Sequence, residues 1–244
     1  MEITDSTALA RDLAPTGVLR ASINLGNPVL AQGTPDAPGG VTVDLARDLA
    51  RRLGLPVEFV CFDAARKSYE AMATGHADLC FLAIEPAREA EIAFTPAYVH
   101  IEGVYAVPAE SPLRTPEDVD RPGIRIGVKQ GSAYDLYLTR TLRHATVVRG
   151  PEGVDVFHGE KLEAAAGIRQ PLTAHLVERP ELRLVEPAFM TIRQAVGTTR
   201  TRRPETVRFL CETVAHLTAS GFVAEALSRS GQNPALAAPT ENLG

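Results

Sequence analysis

Arg88 is the residue of this 244-residue chain that best suits the binding of a small anion. It follows an apolar run at residues 78–83 that is short enough for a buried strand, and it lies in the first turn of a predicted helix. A guanidinium at that place can bind a carboxylate through two parallel hydrogen bonds. The alternative is a surface arginine paired with Glu89 or Glu91, an arrangement of small energetic value.

A second candidate for anion binding is the segment Gly131-Ser132-Ala133-Tyr134, which follows a predicted strand and opens a predicted helix. The first N–H groups of a helix have no partner within the helix, so they suit a carboxylate. Gly131 allows close approach, and Ser132 can either contact the carboxylate or act only as the N-cap of the helix.

The elements that must position these groups follow an α/β pattern. Strands predicted at residues 17–24, 57–62 and 78–83 alternate with helices at 43–53 and 65–74, and residues 25–40 are predicted as loop. The strands are nearly continuous apolar runs, which is typical of a mostly parallel sheet covered on both faces.

The pattern restarts near residue 124, which predicts a second α/β unit. Strands are expected at residues 124–128, 145–148, 162–167, 182–185 and 192–198, and the apolar stretch 98–107 is expected to be extended. We predict a discontinuous first lobe, residues 1–106 plus 194–244, and a second lobe of residues 107–193.

Composition excludes several classes of protein. The net charge of −5 disfavours a general nucleic-acid binder, and the chain has no apolar run long enough for membrane insertion. The six histidines and three cysteines show no ligand spacing, so we expect no metal and no cofactor. Residues 1–7 have no signal-peptide features; the location is the cytoplasm if Met1 is the native start, and the periplasm if an export signal has been removed.

Short motifs along residues 17–230 resemble the type 2 periplasmic binding proteins, specifically the amino-acid-binding group, solute-binding protein family 3. The matching segments are Gly17-Val18-Leu19-Arg20, residues 40–46, Ala77-Asp78-Leu79, Glu85-Pro86-Ala87-Arg88, residues 94–98, residues 122–128, Gly131-Ser132-Ala133-Tyr134 and residues 220–227. The resemblance implies a two-lobed Venus flytrap with two crossover hinge strands and a ligand cleft between the lobes. It also implies that Arg88 holds the carboxylate of the ligand and that Gly131, Ser132, Ala133 and Tyr134 contact it from the other lobe. Contacts made only in the closed form would then drive closure.

The sequence departs from that family at two places. The segment 81–87 has no hydroxyl group, and Arg169 follows the second-lobe strand where those binders usually place an aspartate for the ligand's ammonium. Since a cation repels an ammonium, we expect either a ligand with two acidic groups or a carboxylate without an amine. Glu85 or Glu163 could still supply the missing acid.

The remaining expected ligand contacts are polar residues and one strand end. Asn24 ends the first strand, where open α/β sheets place ligands, and Asn27, Ala83 and Gln194 complete the set. We expect a monomeric, non-catalytic binding protein whose partners are a small carboxylate and either an ABC permease or a regulatory protein.

Two other functions remain open at this point. The first is a cytoplasmic ligand sensor module. The second is a lyase similar to cyclohexadienyl dehydratase, for which Glu85, Glu160 or Glu163 could be the general acid.

Overall fold

A computed structural model describes residues 6–239, so residues 1–5, part of the segment searched for an export signal, lie outside it. The chain divides into two compact units. Unit 1 consists of Met1–His100 and Arg193–Gly244, and unit 2 consists of Ile101–Ile192.

Strands and helices alternate along the first part of unit 1. In chain order they are α1 (Ser6–Leu13), β1 (Leu19–Asn24), β2 (Gln32–Thr34), β3 (Ala37–Gly39), α2 (Val41–Leu53), β4 (Val57–Phe62), α3 (Ala65–Ala73), β5 (Leu79–Ala83), α4 (Pro86–Glu89) and β6 (Ile92–Pro108). The pattern continues through unit 2 with α5 (Pro116–Val119), β7 (Arg125–Lys129), α6 (Ala133–Thr141), β8 (Thr146–Gly150), α7 (Gly153–Glu160), β9 (Ala164–Ile168), α8 (Arg169–Val177) and β10 (Leu182–Thr199). Helices α9 (Pro204–Ala219) and α10 (Phe222–Arg229) follow in unit 1, before a short 3-10 turn at Pro234–Leu236.

Each unit is built around a parallel core of strands. In unit 1, β1 pairs in parallel with β4 and β5, and β10 runs antiparallel to β5. In unit 2, β7 pairs in parallel with β8 and β9, and β6 runs antiparallel to β9. Every residue of β5 is buried, which explains its unbroken apolar run. The predicted α/β class is confirmed.

Strands β6 and β10 each pass from one unit to the other, and they are longer than the sequence suggests. Strand β6 has 17 residues, and β10 is one strand of 18 residues instead of two short ones. Residues 186–191 of β10 are exposed or only half-buried, so no apolar pattern marks them although the backbone stays extended.

The segment predicted as loop at residues 25–40 contains the hairpin β2–β3. Its strands pair Gln32 with Gly39 and Thr34 with Ala37 around a two-residue turn, Pro35-Asp36. The hairpin strands carry no buried residue, so they lack the alternation that identifies a half-buried strand.

Close backbone contact seats α7 against β7 in unit 2. A Cβ atom added at Gly127 would lie 2.5 Å from the carbonyl oxygen of Gly153, the first residue of α7. Only glycine allows this approach, and the contact fixes where α7 lies over the sheet.

Among the described residues, no helix has the length and apolar character needed to cross a membrane.

Candidate functional site

Arg88 lies in the short helix α4, directly after the buried strand β5 of unit 1. Its side chain is not on the surface, because only 3% of the residue is exposed. Its Nη1 donates a hydrogen bond of 3.1 Å to the carbonyl oxygen of Ala83, the last residue of β5. This burial is incompatible with the alternative of an exposed pair with Glu89 or Glu91.

Burial controls the electrostatics of Arg88. Desolvation lowers the pKa of its guanidinium to about 10, and the nearby Cys80, Glu85 and Tyr69 partly oppose that effect. The group therefore stays protonated at neutral pH. A buried guanidinium is costly unless acceptors surround it, and the carbonyl oxygen of Ala83 is one such acceptor.

Two other expected ligand contacts, Ala83 and Gln194, and the candidate acid Glu85 lie close to Arg88 along the chain or the sheet. Ala83 is opposite Gln194 in the antiparallel pairing of β5 with β10, and Gln194 is buried. Glu85 is also buried, with 3% exposed, and its carbonyl oxygen accepts a hydrogen bond from the N–H of Arg88. Arg88, Ala83 and Gln194 thus belong to one region of unit 1.

Asn24 and Asn27 hold the turn that follows β1. The Oδ1 atom of Asn24 accepts a hydrogen bond from the N–H of Gly26 at 3.0 Å, and that of Asn27 accepts one from the N–H of Val29 at 3.2 Å. Both side chains therefore have a structural role, and their contact with a ligand stays a prediction.

In unit 2, Ser132 is the N-cap of α6. Its Oγ accepts a hydrogen bond from the N–H of Asp135 at 3.1 Å, as the alternative of a plain cap requires. Ala133 is the first helical residue, and both Ala133 and Tyr134 are buried. Burial is the main cause that raises the pKa of the Tyr134 phenol, which also has a hydrogen bond with the side chain of Ser132.

The sequence interpretation missed Asp135, a buried carboxylate at the same helix end. Its Oδ2 accepts a hydrogen bond from the N–H of Gly131 at 2.8 Å, and Nε of Arg149 donates to its Oδ1 at 2.9 Å. The spacing Ser132-x-x-Asp135 is that of a capping box and could have identified it. One N–H of the predicted anion site therefore already serves an internal carboxylate.

Arg169 begins α8 and is held by two glutamates of unit 2. Its Nη1 and Nη2 donate to the two carboxylate oxygens of Glu186 at 2.5 and 2.8 Å, and its Nε donates to Glu102. The hydrogen bond with Glu186 is the largest cause that raises the pKa of Arg169. Because two carboxylates surround one guanidinium, the cluster is negative overall. Repulsion of an ammonium would require an uncompensated cation at Arg169, and the two glutamates compensate its charge.

The three carboxylates considered as general acids lie in different surroundings. Glu163 accepts hydrogen bonds from Arg125, which lower its pKa, and Glu160 is exposed at the end of α7. Glu85 alone among these three is buried.

Comparison with known proteins identifies the fold and the family. An ArgBP mutant from T. maritima matches with a TM-score of 0.74 at 18% identity, over 91% of this chain and 99% of that chain. The cysteine-binding protein from Campylobacter jejuni also has a TM-score of 0.74 at 18% identity, over 92% of each chain. The ancestral amino-acid-binding protein AncCDT-1, a precursor of cyclohexadienyl dehydratase, has a TM-score of 0.73 at 17% identity, over 91% of this chain and 98% of that chain.

These likenesses confirm the two-lobed periplasmic-binding-protein fold. Comparison with the sequences of curated proteins gives no significant match. The sequence profile of the bacterial extracellular solute-binding proteins, family 3, matches residues 24–231. That match covers most of the chain. The chain therefore belongs to the bacterial extracellular solute-binding proteins, family 3.

Proposed function

We propose that this protein captures a small carboxylate and that Arg88 is its principal anchor. The observation that carries the proposal is a fully buried, protonated guanidinium directly after β5 in a chain of the solute-binding family. A carboxylate can accept two parallel hydrogen bonds from such a group, and the low local dielectric strengthens them.

The second part of the proposal concerns the start of α6 in unit 2. Ser132, Ala133 and Tyr134 offer backbone and side-chain groups at a helix N-terminus, where anions are favoured. If the ligand engages this segment as well as Arg88, the form with both contacts gains free energy over the form with one. An ABC permease or a regulatory partner would then recognise the protein in that form.

The ligand class is a carboxylate of metabolite size, either amino-acid-like or an organic acid. Solved relatives include proteins whose structures contain arginine or lysine. Glu102 and Glu186 compensate the positive charge of Arg169, so this arginine no longer argues against a ligand with an ammonium group. Both ligand types therefore belong in the test.

A thermal-shift screen tests the proposal. The panel should contain amino acids, keto acids, dicarboxylates and aromatic carboxylates, each paired with its neutral amide. A ligand at 100 times its dissociation constant stabilises a protein by about 2.7 kcal/mol, which gives a clear rise in Tm. We expect at least one carboxylate to raise Tm while its amide does not. No response to any acid, or equal responses to acid and amide, would contradict the proposal.

A second candidate function is a lyase that acts on the same class of ligand. It is favoured by one observation, the buried Glu85 beside the backbone of Arg88, and by the similarity to AncCDT-1. A buried carboxyl can act as a general acid toward a leaving hydroxyl group. Incubation with prephenate and with arogenate tests this: product formation that Glu85→Gln abolishes would establish the lyase, and no turnover would reject it.

A further inference from the structure

Arg169 links the two strands that cross between the units. Its Nε donates a hydrogen bond to Glu102 of β6, and its Nη1 and Nη2 donate to the two carboxylate oxygens of Glu186 of β10 at 2.5 and 2.8 Å. All three residues belong to unit 2, and Glu102 is the second residue of that unit along β6. Since Arg169 is also the first residue of α8, one guanidinium connects three elements.

Helix α8 by itself does not favour an arginine at this position. The N-terminal end of a helix carries a partial positive charge, so a cation there is destabilising. The N-cap of α8 is Ile168, and the first turn of the helix contains no acidic residue. The negative charges that compensate Arg169 therefore come from β6 and β10, and the link to these strands is the favourable contact of its side chain.

Apolar groups hold the same stretches of β6 and β10 together. The ring of Phe189 stacks on that of Tyr105, with the centroids 4.3 Å apart. A Cβ atom added at Gly103 would lie 2.7 Å from Cγ of Met190 and 3.1 Å from Cζ of Phe189. Since side chains alternate along a strand, these contacts lie on the face of β6 opposite to that of Glu102. The two crossover strands are therefore fastened on both faces within unit 2.

Helix α8 covers the face of β6 that carries Glu102. Leu172 of α8 packs with Val104 of β6 in one apolar cluster, and Ala188 of β10 packs against the same cluster. The helix thus spans both crossover strands, with Arg169 as the charged contact at its N-terminal end.

We propose that Arg169 is a positioning residue for ligand binding, which acts by fastening the two crossover strands to each other and to α8. The proposal rests on the proposed function, since it concerns how long a bound carboxylate is retained. Release of a ligand from a two-lobed binding protein requires the connecting strands to flex, and contacts that restrain them slow this step. Arg169 thereby slows release through Glu102 and Glu186, without a contact of its own with the ligand.

The loss of Arg169 should have a larger effect than the loss of its two ion pairs. The side chains of Glu102 and Glu186 are 48% and 58% exposed, so each pair by itself is weak. Both carboxylates lie within hydrogen-bond reach of one guanidinium, and without it two like charges would remain close together. Their repulsion would push β6 and β10 apart at the place where Arg169 now joins them.

Hydrogen exchange followed by mass spectrometry tests the fastening in the ligand-free protein. We expect the amides of residues 101–106 and 184–190 to exchange at least about threefold faster in Arg169→Met than in the native protein. The double variant Glu102→Gln/Glu186→Gln should show a smaller increase, because it loses the ion pairs without leaving two carboxylates to repel each other.

Arg121→Met is the matched control for this experiment. Arg121 is an exposed arginine of unit 2 that pairs with Asp118, three positions earlier in the chain, and its variant should exchange in the crossover strands as the native protein does. Native-like exchange in Arg169→Met, or an equal increase in Arg121→Met, would overturn the proposal. This experiment needs no ligand, so its failure is distinguishable from a failure of the proposed function.

The effect on binding is measured by stopped flow as the dissociation rate of the best carboxylate from the thermal-shift screen. We expect Arg169→Met to release it at least about threefold faster than the native protein. When Glu102→Gln and Glu186→Gln are already present, Arg169→Met should change the rate by less than about twofold, because Arg169 acts through these two residues. A large further increase in that background would mean that Arg169 contacts the ligand directly, and would contradict its role as a positioning residue.

Discussion

At the scale of single residues, the molecule depends on charges whose partners lie far away along the chain. Arg88 could be identified as a candidate from its residue type and its place after an apolar run. Its burial could not be predicted, because burial comes from the packing of β5 and its neighbours. Arg169 shows the opposite outcome. Its charge suggested a repulsive group, while its partner Glu102 is 67 positions away and could not be paired with it by pattern alone.

The ion pair of Arg169 with Glu186 makes the stability of the protein sensitive to acid. The hydrogen bond from Arg169 lowers the pKa of Glu186 below its ordinary value of 4.5. A carboxyl whose pKa is lowered by folding stabilises the protein above its unfolded pKa, and that contribution is lost as the pH falls through the folded pKa. We expect Glu186→Gln to lower the urea midpoint at pH 6 and to have a smaller effect at pH 3.

Urea unfolding of the native protein and the variant at both pH values measures this difference. Glu178→Gln is a suitable control, since it changes an exposed glutamate of the same unit. If Glu186→Gln lowered the urea midpoint by the same amount at pH 6 and pH 3, the stabilising effect of the ion pair would not depend on the ionisation of Glu186.

At the scale of elements, the cap of α6 fixes the backbone conformation of residues 131–134. The hydroxyl oxygen of Ser132 accepts a hydrogen bond from the N–H of Asp135, and the carboxylate of Asp135 accepts one from the N–H of Gly131. The side chains of this helix start therefore hold its backbone in place. The sequence predicted the helix and its cap, but not that an internal carboxylate takes one of the N–H groups.

Removal of the cap should loosen this end of unit 2. Ser132→Ala is expected to lower the free energy of unfolding by about 1 kcal/mol, as is usual for an N-cap serine. The measurement is urea unfolding, with Ser228→Ala as the control, because Ser228 is exposed in α10 and its hydroxyl donates a hydrogen bond to the carbonyl oxygen of Ala224 in the same helix. Equal stability of the two variants would mean that the cap is not a stabilising contact.

The close contact of β7 with α7 gives a second prediction at this scale. In Gly127→Ala the new Cβ would meet the carbonyl oxygen of Gly153 at 2.5 Å, and we expect a loss of about 1–3 kcal/mol in the free energy of unfolding. In the control Gly159→Ala, nothing lies within 4 Å of the new Cβ, and alanine in place of glycine in a helix should be neutral or slightly stabilising. Thermal or urea unfolding of both variants measures the effect, and an undisturbed Gly127→Ala would mean that α7 can shift away from β7.

At the scale of the whole molecule, the order of helices and strands was the feature that best predicted the fold. Strand β5 is buried throughout, which gives a continuous apolar run, and α9 buries one face, which gives a helical apolar period. The bounds of such elements were predicted to within a few residues. The hairpin β2–β3 and the continuity of β10 were missed, since their exposed stretches leave no apolar pattern.

The central claim is that a carboxylate is bound by the buried guanidinium of Arg88. Its most direct test is isothermal titration calorimetry of the best carboxylate from the screen with three proteins: native, Arg88→Lys and Arg47→Lys. Lysine keeps the charge but cannot donate two parallel hydrogen bonds, so Arg88→Lys should bind at least about 100-fold more weakly, a loss of about 3 kcal/mol. Arg47 is an exposed arginine of α2, and its variant should bind as the native protein does. Native-like affinity in Arg88→Lys would contradict the account, because the ligand would then not depend on this arginine.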